Sequence, residues 1–147
     1  QEKISIRYPL IELSCLISFL IIYFFLKSEI SYQMLLYFAI VFILIVMVVV
    51  DLEEYFIPDI LQYFLAAFVV ILLIVKGGNH LVFSNIKAGF LYAGFGLALY
   101  AFFYFTTRLE AIGIDDIKFF FIAGLMLGIK NFLIFMLLCG VIGAVFG

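Results

Sequence analysis

Two aspartates stand where apolar runs meet polar residues. Asp51 closes the stretch "VFILIVMVVV" (41–50) with no polar residue before it, and Asp116 opens the apolar run that begins at Ile117. A carboxylate at the level where hydrocarbon gives way to headgroups is partly desolvated, which disfavours its charged form. Two such groups brought close cannot both ionise easily, so they hold one proton between them. The ionised member then takes a proton from water while the protonated one polarises a carbonyl, the working arrangement of an aspartic protease. Plainer roles compete with this chemistry. Acids at helix ends are often solvated loop residues, and an Asp at a helix N-terminus is favoured by the helix dipole. Clustered oxygen ligands also suit a divalent cation. Transport sites lie nearer the bilayer midplane, whereas these acids lie at the ends of their runs.

The elements that must position the pair are apolar throughout. Of the 147 residues, 69% are hydrophobic and 12% charged, against roughly 45–50% and 25% in a soluble domain. A soluble core of this length cannot hide so much apolar surface, so an integral membrane protein is expected. The apolar runs are Pro9–Leu26, Met34–Val50, Ile60–Val75, Gly89–Phe105, Ile117–Ile129 and Phe132–Phe146. Each is near or somewhat below the ~17–25 residues of a spanning helix, and the fifth is short. Period-two alternation is absent, which argues against a lipid-facing barrel. The runs predict an all-α fold, a polytopic bundle of about six transmembrane helices forming one domain over residues 1–147. Charge and turn clusters divide them, among them "DLEEYFIPD", "VKGGNH" and "GIKN". Gly124 with Gly128, Gly140 with Ala144 and Gly143 with Gly147 have the four-residue spacing that lets helices approach closely.

On that model one membrane face receives Glu2, Asp51, Glu53, Glu54, Asp59, Glu110, Asp115 and Asp116, eight of the ten acids. The bases divide evenly. Lys3, Arg7, Arg108 and Lys118 fall on the acidic face and Lys27, Lys76, Lys87 and Lys130 on the other, so the positive-inside rule leaves orientation open. Cys15 and Cys139 lie inside apolar runs and form no CxxC pair, and His80, the one histidine, falls in the "KGGNH" loop. Neither a zinc site nor a disulfide framework is indicated. No metal and no cofactor are expected. Glu12, in the first turn after Pro9, is read as structural.

The segments "VDLEEYFIPD" (50–59) and "EAIGIDDIK" (110–118) resemble the signatures of the bacterial type IV prepilin peptidases, polytopic aspartic proteases. The first family motif is an Asp at a helix end followed by an aliphatic–Pro–Asp/Asn step, which Asp51, Ile57, Pro58 and Asp59 match. The second, Glu-x-x-Gly-x-Gly-Asp-x-Lys, is matched by Glu110, Gly113, Asp116 and Lys118. "ISIRYPLIE" (4–12) is similar to the segment that follows the family's cytoplasmic zinc-binding loop. The resemblance implies that Asp51 and Asp116 are the catalytic pair and that the active face is cytoplasmic, in a bacterial inner membrane. It implies a prepilin or pseudopilin substrate whose short basic leader is removed, with the lipid bilayer as the other partner and no nucleic acid. Glu53, Glu54 and Asp59 would present a negative field to such a leader, screened beyond about 8 Å at physiological salt.

Supporting roles follow. Pro58 shapes the loop after Asp51 because it cannot continue the helix. Gly113 supplies backbone freedom before Asp116. Lys118 pairs with a carboxylate or snorkels to the headgroups. One position departs from the motif: Asp115 stands where the family has its second glycine, and is expected to serve the turn and not the chemistry, since Asp tolerates left-handed backbone better than most residues. The chain is expected to be a fragment of a longer one. The family's zinc cysteines and late Pro-Phe-Gly-Pro segment are not in it, so methyl transfer from S-adenosylmethionine is not assumed. The related eukaryotic intramembrane proteases rank second, because their first Asp follows Tyr and here Val50 precedes Asp51. The competing class is a non-catalytic bundle, either cation-binding or an inactive relative. Oligomeric state is not legible.

Overall fold

The computed structural model describes residues 7–26, 31–54, 56–108 and 112–146. They form five α-helices: α1 (Arg7–Leu26), α2 (Tyr32–Glu54), α3 (Asp59–Thr107), α4 (Ile114–Leu127) and α5 (Phe132–Phe146), with a single 3-10 turn over Ile129–Asn131. No strand occurs among the described residues. The all-α class is as expected, but the count is five and not six. The cluster "VKGGNH" does not form a loop. It stays inside α3, where only Gly78 leaves helical geometry (φ 65, ψ −165). A glycine reaches that conformation at little steric cost, so what composition marks as a loop is a one-residue kink. His80 accordingly lies within α3 and not in a loop.

Among the described residues three helices are long and apolar enough to cross a membrane, or up to four if α4 and the segment after it count as one bent span. The 49 residues of α3 include the non-helical Gly78, so its length is not that of one straight rod. By contrast α4, with 14 residues, reaches only about 21 Å. It breaks at Gly128 (φ 73), and the chain turns by 115° into Ile129–Ile142. The fifth and sixth expected spans are thus two arms of a broken span or a re-entrant loop.

The described residues fall into two compact units, Gln1–Lys76 and Gly77–Gly147. In the first, α1 packs beside α2, with Phe19 and Phe38 in ring contact at 4.8 Å. Met34, Ile40 and Met47 of α2 are buried, as are Leu65, Val69, Leu72 and Leu73 of α3. The last four recur at i, i+4, i+7 and i+8, one helical face. Lys76 donates to the Tyr37 hydroxyl at 2.5 Å, which ties α3 to α2.

The second unit is built on aromatic rings. Tyr92 of α3 meets Phe132 at 5.0 Å and Phe135 at 5.2 Å, Phe95 meets Phe132, and Phe120 of α4 meets Phe135. Three of these four pairs are edge-on and Tyr92–Phe135 is tilted; edge-on aromatic pairs add about 0.5–1.5 kcal/mol each beyond burial. Where α4 crosses α3 the backbones nearly touch: a Cβ on Gly124 would lie 2.7 Å from Gly89 Cα and 2.8 Å from the Ala88 carbonyl oxygen.

The four-residue glycine spacings therefore divide. Gly124 serves close approach and Gly128 serves the break. Gly140 faces open space, and the Gly143–Gly147 pair ends outside the described residues.

The break leaves carbonyls that a lipid environment cannot satisfy. Three side chains take them up. Asn85 Nδ2 donates to the Leu125 carbonyl at 2.7 Å, the Tyr92 hydroxyl to that of Gly128 at 2.9 Å, and Asn131 Nδ2 to that of Leu127 at 2.9 Å.

Gly124→Ala is expected to destabilise the protein by about 1–3 kcal/mol through overpacking, whereas Gly140→Ala should stay within about 0.5 kcal/mol. Thermal unfolding of both variants in detergent micelles checks the contrast.

Candidate active site

Asp51 lies in the last turn of α2, exposed, together with exposed Glu53 and Glu54. That turn contains no base. A helix C-terminus already carries partial negative charge, so each acid there is unfavourable by about 0.3–1 kcal/mol. Helix stability does not explain three of them. Phe56–Pro58 are non-helical and Pro58 is half-buried. Its carbonyl accepts the N–H of Leu61 at 3.1 Å, opening α3. Asp59 is then the first residue of α3 and exposed, where the dipole favours an acid. Tyr55 lies outside the described residues.

Asp116 sits in the first turn of α4, exposed. Gly113 is the N-cap, in extended conformation (φ −75, ψ 157). Its N–H donates to Asp116 Oδ2 at 3.1 Å, and the Asp116 N–H donates to the Gly113 carbonyl at 3.2 Å. The carboxylate thus satisfies one of the N–H groups that a helix start leaves unpaired. The φ of Gly113 is open to any residue, and a Cβ there would make only ordinary contacts, with Asp116 Oδ2 at 3.5 Å and the Asp115 N at 3.9 Å. Its conformational freedom is not used in this arrangement.

Asp115, half-buried, accepts from Lys118 Nζ at 3.3 Å, with side chains 33% and 42% exposed. Of the two roles expected for Lys118, it takes the pairing one. Consecutive helical residues project about 100° apart, so the two carboxylates part ways, Asp115 toward Lys118 and Asp116 back to Gly113. Asp115 is helical and does not use the left-handed tolerance expected of it. Among the described residues the left-handed non-glycine one is Arg108 (φ 58), just after α3. Glu110 lies outside the described residues.

Asp51 belongs to the first compact unit and Asp116 to the second. Among the described residues no group of three or more His, Cys, Asp or Glu side chains is gathered to hold a metal ion. The residues that sequence reasoning passed over are Asn85, Tyr92 and Asn131, which hold the far end of α4. Asn85 was visible as an amide close to an apolar run, but its partner is a backbone carbonyl forty positions away.

The cap bond separates structural from chemical roles. Asp116→Asn keeps an oxygen that can accept from Gly113 and should leave stability nearly unchanged, while Asp116→Ala should cost about 0.5–2 kcal/mol. Asp115→Asn removes a partly exposed pair worth about 0–1 kcal/mol. Unfolding curves of the three variants read this directly.

The family model of the type IV leader peptidases matches residues 38–147, covering most of α2 and all of α3, α4 and α5. No curated protein and no solved structure matches the chain. Both aspartates fall inside the matched region, each at the end of an apolar helix. With an all-α fold of membrane-crossing helices and a family match over most of its length, this integral membrane chain belongs to the type IV leader peptidase family.

Proposed function

We propose that the protein is an aspartic endopeptidase of the bacterial inner membrane in which Asp51 and Asp116 form the catalytic pair. It removes the basic leader of type IV prepilins or type II secretion pseudopilins at the cytoplasmic membrane face. The observation that carries this reading is the position of the two acids: each is exposed at the end of an apolar helix, inside the region matched by a peptidase family.

In this mechanism one carboxylate of the pair is ionised and the other protonated. The ionised member accepts a proton from the attacking water. The protonated member donates its proton to the scissile carbonyl oxygen and recovers it when the intermediate collapses, as the proton taken from water passes to the leaving amine. Asp115 takes no part, its charge being answered by Lys118. Glu53, Glu54 and Asp59 lend the site a negative field toward a basic leader. No metal, cofactor or nucleic acid enters.

The bond from Gly113 to Asp116 favours a second reading, in which Asp116 is only a helix cap in an inactive relative. Leader cleavage in proteoliposomes separates the two. Asp51→Asn and Asp116→Asn should each lower cleavage at least about a thousandfold, while Asp115→Asn retains it. If Asp116→Asn stays active and Asp115→Asn is dead, the pair is Asp51 with Asp115. If all three cleave normally, the aspartic mechanism fails.

A further inference from the structure

Between α1 and α2, at the end away from the Phe19–Phe38 contact, lies a cavity of about 620 Å³. Leu10, Ile11 and Ser14 form one wall. The other is a single stripe of α2, Val41, Leu44, Ile45, Val48, Val49 and Leu52, with Glu53 at its end. These positions recur every three or four residues over about three turns, or roughly 16 Å. The groove is open, for Leu10, Val48 and Leu52 are 56%, 58% and 67% exposed. Ser14 donates its hydroxyl proton to the Leu10 carbonyl at 2.8 Å, so the walls act as apolar surface. Glu53 is the charged group among the lining residues.

The chemistry of this groove selects its occupant. Apolar walls of this length take apolar side chains. At one end Glu53 stands beside Asp51 and Glu54 in a helix turn without a base, where the dipole adds to their negative potential. A peptide with a cationic residue followed by an apolar run matches both parts, the cation against Glu53 and the run against the apolar walls. We infer that the α1–α2 groove is the docking site for such a peptide, its basic residue against Glu53 and its apolar run along the Val41–Leu52 stripe. This rests on the leader-peptidase reading, and makes the groove the element that selects substrate beside Asp51. An apolar run also lets the peptide enter sideways from the bilayer, without desolvating its backbone in the open groove.

Binding is measured apart from cleavage. The full chain carrying Asp116→Asn is placed in phosphatidylcholine nanodiscs and titrated with a fluorescent peptide: a lysine pair followed by an apolar run of about three helical turns. Ile45→Trp and Val48→Trp, which fill the groove, should each weaken binding about tenfold or more. Glu53→Lys, at an exposed position that needs no repacking, should weaken it about fivefold, the scale of one exposed charge pair. Leu35→Trp, exposed on α2 outside the groove, is the control and should not change it. Equal binding across all four variants overturns the proposal and leaves the groove to lipid chains. Binding lost equally in the control overturns it too. If the groove variants lose binding but the wild type cleaves no leader, docking stands and the peptidase reading fails. If groove variants bind normally while the wild type cleaves, the reverse holds.

Discussion

A hydrocarbon core offers backbone groups no water, so every N–H and C=O inside it must find a partner in the protein. That constraint explains why the chain is helical and also why its exceptions are so closely attended. Where α4 stops at Gly128, the freed carbonyls are met by Asn85, Tyr92 and Asn131. At its other end the Gly113 N–H is met by Asp116. The shortest helix of the five is thus secured at both ends by named side chains. It is also the helix that carries Asp115, Asp116 and Lys118, so their placement depends on these bonds and on the Gly89–Gly124 approach behind them.

Charge placement follows a different logic from stability. At the start of α4 the two aspartates agree with the helix dipole, and one of them is further offset by Lys118. At the end of α2 the three acids oppose the dipole, without a base in the turn. An arrangement that is locally unfavourable points to a requirement outside the fold. The basic substrate segment proposed above would meet that requirement. The apolar groove that begins beside Glu53 adds a surface of matching chemistry.

Much of this was readable from residues alone. Apolar runs and the absence of alternation marked helices in a membrane, and the edges of those runs marked Asp51 and Asp116 as unusual. Two features were not readable. Composition could not distinguish a loop at "KGGNH" from a kink confined to Gly78, because the flanking residues are compatible with both. Nor could it show that Gly128 breaks a helix while Gly124, four residues earlier, packs one, since small residues serve either purpose until a neighbour is known. The Asp115–Lys118 pair lay between the two: its i, i+3 spacing was in the sequence, but Lys118 had a competing path to the headgroups. Asn85 and Tyr92 could not be assigned at all, because their partners are backbone carbonyls more than thirty positions away.

The central proposal is that Asp51 and Asp116 work as one pair. Proximity tests it most directly, without relying on activity. With Cys15 and Cys139 replaced by Ser, the double variant Asp51→Cys/Asp116→Cys is treated in proteoliposomes with a short bifunctional maleimide. Efficient intramolecular cross-linking, seen as a single linked fragment after proteolytic cleavage within α3, is the expected result. Efficient labelling of both cysteines with no cross-link between them would contradict the pair and the mechanism built on it.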